Sequence, residues 1–158
     1  MNPKIKTREE ISKIAEQLRK EGKKIVTTNG AFDILHYGHI KLFEFAKQQG
    51  DVLIIGLNSD KSIKTYKNKN RPIVGQDYRA EVLSAIQQID YITIFDEPVP
   101  IKFVDSVKPN VHVNAATYGL NCIESETVKK NGGEIKLFDT IKGHSTTDLI
   151  KKIIETQK

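Results

Sequence analysis

Short apolar runs rich in β-branched residues alternate with stretches of helical periodicity along the chain, and this alternation restricts the fold more than any other feature. The runs KKIVTT (23–28), DVLIIGL (51–57), YITIF (91–95), NVHVN (110–114) and GEIKLF (133–138) read as strands. Several are nearly continuous in apolar residues, as expected of strands covered on both faces. Helical periodicity fills the gaps at 8–21, 38–48, 76–89, 99–107, 123–131 and 146–156. In the first, Ile11, Ile14, Ala15 and Leu18 form one stripe behind a Thr7/Glu10 capping box. Leu149, Ile150, Ile153 and Ile154 form another in the last, behind Ser145 as N-cap. Strand–helix alternation implies right-handed crossovers, hence one α/β domain over 1–158. Its sheet is expected to be mainly parallel and five-stranded, with helices on both faces and an N-terminal helical extension at about 7–21. Ligands of such sheets bind beyond the carboxyl ends of the strands, so the residues after 28, 57, 95, 114 and 138 are expected to meet in one crevice.

Composition narrows the setting. No apolar run is long enough to span a bilayer, and MNPKIKTREE lacks the apolar core of a secretory signal. The single cysteine, Cys122, excludes an intrachain disulfide, and a cytoplasmic location is expected. A net charge of +5 is spread along the chain with no arginine-rich arm, so neither a nucleic-acid nor a membrane partner is expected. One local concentration stands out: Lys61, Lys64, Lys67, Lys69 and Arg71, just past the second strand. It reads either as a solvated, mobile loop or as an attractor for an acidic, phosphorylated substrate.

The first strand leads into TTNGAFDILHYGHIKLF, with His36-Tyr37-Gly38-His39 where a helix begins. Gly30 is expected to allow an unusual backbone angle in the turn, and Gly38 to clear a path for phosphate oxygens. The free N–H groups of the first helical turn form an anion site. Two imidazoles three residues apart share one face and can donate to a phosphoryl group during transfer. Other readings of these histidines are helix capping and zinc binding. Zinc would need ligands beyond this pair, for which only Cys122, His112 and His144 are nominal candidates, and no protein-bound metal is expected. No G-x-G-x-x-G follows the strand, which disfavours a dinucleotide site.

Asn29-Gly30-Ala31-Phe32-Asp33 followed by His36-Tyr37-Gly38-His39 resembles the signature of the H-x-G-H nucleotidylyltransferases. From about residue 23 onward the chain is most similar to the heptose-1-phosphate adenylyltransferases within that superfamily. The similarity includes Asn58-Ser59-Asp60, Lys64 and Lys67, Arg71-Pro72-Ile73, Arg79, Phe95-Asp96-Glu97 and Gly143-His144-Ser145-Thr146-Thr147. The resemblance implies a Rossmann-like fold and transfer of AMP from ATP, with Mg²⁺, to a sugar 1-phosphate such as D-glycero-D-manno-heptose 1-phosphate. Pyrophosphate leaves, no covalent enzyme intermediate forms, and a homodimer is expected.

His36, His39 and Lys64 are then the catalytic candidates. Asn29, Gly30, Ala31, Phe32, Asp33, Gly38, His39, Asn114, Ser145 and Thr146 are candidates for the nucleotide. Asn58, Asp60, Lys67 and Arg79 are candidates for the acceptor. Plainer readings exist: Asp33 as a loop-ordering carboxylate, Ser145 as a cap only, and Arg79 in a surface ion pair. Asn114-Ala115-Ala116 stands where the family carries a lysine and two glycines. The alternative is therefore a cytidylyltransferase acting on glycerol 3-phosphate, disfavoured by Thr140 and Ile141 where that family carries an arginine. A catalytically silent nucleotide-binding domain and a nucleic-acid-binding module are the readings from other classes.

Overall fold

The computed structural model of the chain describes residues 2–158. Five strands, β1 (Ile25–Gly30), β2 (Val52–Asn58), β3 (Tyr91–Phe95), β4 (Val111–Ala115) and β5 (Glu134–Phe138), pair in parallel in the order β3-β2-β1-β4-β5. The helices are α1 (Arg8–Lys20), α2 (Tyr37–Lys47), α3 (Asp60–Tyr66), α4 (Gln76–Ser84), α5 (Ile101–Val107), α6 (Ser125–Lys130) and α7 (Thr146–Thr156). The domain is a Rossmann-like α/β fold. Its strand order reverses between β1 and β4, which is where a parallel sheet opens a crevice.

Alternation along the strands builds two cores. Val26, Leu53, Ile55 and Leu57 point to one face, where Phe43 and Ala46 of α2 and Leu83 of α4 cover them. Ile25 and Ile54 point to the other, against Ile11 and Ala15 of α1 and Phe103 and Val104 of α5. The apolar stripe of α1 thus covers the chain's own sheet. Both halves of the Thr7–Glu10 capping box are formed. Ile5 adds an isolated parallel bridge to Ile92 ahead of α1.

Three features depart from the sequence reading. Residues 60–66 form α3 instead of a loop, because Ser59 caps the helix through Ser62 N–H and Ile63 supplies a fully buried side chain. The helix expected over 76–89 stops at Ser84, and Val82, expected beside Leu83, is exposed. Ile153 and Ile154 of α7 also face solvent.

Candidate active site

A cleft of about 520 Å³ lies over the carboxyl ends of β1, β4 and β5. Its floor is Thr28–Gly30, one wall is Asn114, Ala115 and Tyr118, and the other is Thr140–Asp148. The ends of β2 and β3 do not reach it. Ser59 N–H bonds to Phe95 O there, and α3 packs against β2. Three of the five expected strand ends converge: those of β1 and β4, which flank the reversal, and that of β5 beside β4.

His36 and His39 both line the cleft, stacked with ring centroids 3.8 Å apart. His36 is the N-cap of α2, and its Nδ1 accepts the Gly38 N–H at 3.1 Å. That bond leaves the ring proton on Nε2, available as a donor. The amides of His39 and Ile40 bond to His36 O. The Gly38, His39 and Ile40 amides are therefore already partnered within the chain, which takes up part of the bare amide site expected at this helix end. Burial, with nearby His144, lowers the His36 pKa from its ordinary value, against an opposing pull from Asp148. Burial, then His36 and Lys67, lowers His39 to about 3. Both shifts favour the neutral form of the ring. His39 Nδ1 is buried with no hydrogen-bond partner.

The unusual backbone angle falls on Phe32, with φ of 45°, instead of Gly30. This conformation folds the Phe32 ring back under His39, edge-on at 5.2 Å between centroids. Gly30 is needed because a Cβ there would meet that ring at 3.0 Å. Gly38 is likewise a packing requirement: a Cβ would meet His144 O at 2.8 Å. Its bareness seats the 140–145 segment against α2, and Gly38 also lines the cleft.

Asp33 lines the cleft, but its carboxylate is turned to the loop between α3 and α4. It accepts from Arg71 Nε at 2.8 Å, from Ile73 N–H at 2.9 Å and from Val74 N–H at 2.8 Å. This loop brings Lys67 into the cleft. Burial, then Arg71, lowers the Lys67 pKa. Lys64 is exposed on α3 and does not line the cleft.

Arg79 is not on a surface face; it is 2 % exposed and makes four hydrogen bonds. Its guanidinium donates to Val74 O, Ala31 O, Asn58 O and Asp60 Oδ1. It ties the H-x-G-H loop to the end of β2, which is a structural task. Asn58 is buried and donates to Ser62 Oγ, while Asp60 answers Arg79. None of these three lines the cleft, so direct contact with an acceptor is not what this arrangement offers.

At the opposite wall Gly143 adopts φ of 78°, and Ser145 caps α7. Ser145 Oγ accepts from Asp148 N–H at 3.0 Å and donates to Asp148 Oδ2 at 2.7 Å. Ser145 and Thr146 line the cleft as expected, with capping and cleft lining combined in Ser145. Asn29, Ala31 and Asn114 also line it. Sequence reasoning did not single out Arg71 as an organiser, or Tyr118 and the 140–144 segment as walls. Their positions follow from loop packing, for which no local pattern exists. Among the described residues, no three His, Cys, Asp or Glu side chains converge as a metal-ligand set, and no helix is long and apolar enough to cross a membrane.

The model of the cytidylyltransferase-like family matches residues 27–152, spanning β1 to α7. The chain is 45% identical to the bifunctional protein HldE of Aliarcobacter butzleri, over 99% of this chain and 32% of that protein. It is 46% identical to HldE of Campylobacter concisus over 95% of this chain and 31% of the relative. The chain therefore spans about a third of the curated relatives it matches. A solved lipopolysaccharide core biosynthesis protein from Thermoplasma volcanium superposes with a TM-score of 0.61 at 28% identity, covering 76% of this chain and 98% of that one. Pantoate-beta-alanine ligase from Francisella tularensis, solved with Beta-gamma ATP and Beta-alanine, shares the fold at a TM-score of 0.59 and 16% identity, over 87% of this chain and 67% of that one.

Proposed function

Since this chain belongs to the cytidylyltransferase-like family of nucleotidyltransferases, we propose that it transfers AMP from ATP to a sugar 1-phosphate, D-glycero-D-manno-heptose 1-phosphate, with release of pyrophosphate. The stacked His36–His39 pair at the sheet's reversal point is the observation that carries this reading. Support for the sugar comes from the resemblance to heptose-1-phosphate adenylyltransferases, from the similarity to HldE, and from the likeness to a lipopolysaccharide core biosynthesis protein.

An oxygen of the acceptor phosphate attacks the α-phosphorus. A new P–O bond forms as the bond to the β-phosphate oxygen breaks, and pyrophosphate carries the electron pair away. A sugar phosphate has its second pKa near ~6, so at pH 7 it is already a competent nucleophile and no general base is required. Two neutral imidazoles suit this chemistry. They serve as donors to phosphate oxygens, and His36 Nε2 is left free for that purpose by its Nδ1 bond to Gly38. Lys67, which lines the cleft, adds a cation near the reacting phosphates. Catalysis is then positioning and charge stabilisation, without covalent chemistry by the protein.

The residues fit a Mg²⁺ carried on the triphosphate instead of one held by a side-chain cage. When bound, the ion neutralises phosphate charge. Of the two cleft-lining carboxylates, Asp33 is taken up by Arg71 and the Ile73 and Val74 amides, so Asp148 would be the one to support the ion. The assembly is a homodimer acting in the cytoplasm, and light scattering tests the dimer. The reaction is tested by pyrophosphate release across ATP, CTP, GTP and UTP against heptose 1-phosphate, other sugar 1-phosphates and glycerol 3-phosphate. Turnover with ATP and the heptose is expected. Turnover confined to CTP would replace this reading with cytidylyl transfer.

A further inference from the structure

A buried polar cluster lies behind the β4 wall of the cleft and reaches it through Asn114. His112 of β4 is fully buried, and its Nδ1 lies 2.8 Å from Thr27 Oγ1 on β1. Its Nε2 lies 3.2 Å from Glu124 Oε1. The same carboxylate oxygen accepts from Asn114 Nδ2 at 2.5 Å, and Asn114 Oδ1 accepts from the Ala115 amide at 3.0 Å. Glu124, which precedes α6, is 2 % exposed.

Burying a carboxylate carries a penalty of several kcal/mol unless partners answer it, so its presence asks for a reason. Packing of α6 against the sheet does not need one, because an apolar side chain would fill the space. The consequence lies at Asn114. An unrestrained amide can present either end to a ligand. Here the carboxylate can only accept and the backbone amide can only donate, so both ends are determined. Asn114 therefore lines the cleft with its side-chain amide held in one orientation, and the buried Cys122 thiol bonds to the same Asn114–Glu124 pair.

We propose that Glu124, backed by His112, is a positioning residue for nucleotide recognition: it holds the Asn114 side chain in the one orientation that meets the bound triphosphate. Glu124 does not line the cleft and acts only through Asn114. The inference rests on the cleft being the nucleotide site, as proposed above.

Binding of Mg-ATP by calorimetry, without acceptor, tests it in the wild type, Glu124→Met, Glu124→Gln, Asn114→Ala and the Glu124→Met/Asn114→Ala double variant, with melting curves for each. Glu124→Met and Asn114→Ala each weaken binding about tenfold, which is ~1.4 kcal/mol, and the double variant is no weaker than either single one. Glu124→Gln, whose amide oxygen still accepts from Asn114, stays within about twofold of wild type, and KM for ATP moves more than kcat in the Met variant. A folded Glu124→Met protein with wild-type affinity overturns the proposal, as do penalties that multiply in the double variant. If Glu124→Met does not fold, Asn114→Asp decides: it sets a second carboxylate against Glu124, must weaken binding, and must be partly relieved by adding Glu124→Gln. Absence of that weakening overturns the inference. A wild type that binds no nucleoside triphosphate sinks the active-site reading itself, whereas wild-type binding indifferent to Glu124 sinks only its positioning role.

Discussion

Replacing Asp33 by alanine tests whether one buried carboxylate holds the Lys67 loop in the cleft. The side chain accepts three hydrogen bonds: two from the Ile73 and Val74 amides and one from Arg71. Bonds to a charged group contribute about 1.5 kcal/mol each at the low end, which sets a sum near ~4.5 kcal/mol. Ile73 is exposed, so water can take over part of that loss, and about 3 kcal/mol is the expected fall in unfolding free energy. Urea unfolding at pH 7 reads it directly. Burial pushes the Asp33 carboxyl up, but the Val74 and Ile73 amides and Arg71 together hold it below its usual value. A folded-state pKa below the unfolded value of ~3.9 means this stabilisation is complete above that pH and fades as the pH falls beneath it. The difference between variant and wild type should therefore shrink in urea melts at pH 3. Freed of its anchor, the 67–75 loop no longer presents Lys67, and kcat/KM for pyrophosphate release should fall at least about tenfold. A variant that loses under about 1 kcal/mol at pH 7 and keeps its kcat/KM would refute the reasoning.

His39→Ala should lower kcat by about a hundredfold or more, equivalent to removing one donor worth ~2.7–4 kcal/mol, while its circular-dichroism spectrum is unchanged. Because His39 is depressed to about 3, the wild-type pH–rate profile should show no limb from this ring between about pH 5 and 8. The same depression means that stability linked to neutral His39 is full above ~6.5 and is lost as the pH falls toward 3, which NMR titration of the imidazole resonances checks. Arg79→Ala leaves Asp60 unanswered and frees three backbone carbonyls, so thermal or urea unfolding should report a loss of about 3–5 kcal/mol. Gly38→Ala drives a methyl into His144 O, which should lower stability by about 1–3 kcal/mol and raise KM for the triphosphate by displacing the 140–145 wall.

The α/β class and the location of the motif at the end of β1 were legible because strand and helix periodicities are local, and each element's apolar face must find a partner. The histidine pair was legible because a three-residue step at a helix start places two side chains together whatever surrounds them. Loop 67–75 was legible only as a basic run. Its conformation depends on Asp33, which lies far from it in sequence.

What the sequence determined alone, then, is the alternation that makes a parallel sheet and the motif that places two imidazoles at its edge. Tertiary structure decided which polar residues face the cleft and which serve the frame. Arg79, Asn58 and Asp60 satisfy one another and the backbone, while Lys67 reaches the cleft and Lys64 does not. The reason is that a buried charge or amide must be answered wherever the chain happens to bring a partner, and that pairing is non-local. Periodicity records which side of an element is apolar. It carries no record of which distant carbonyl a guanidinium will meet.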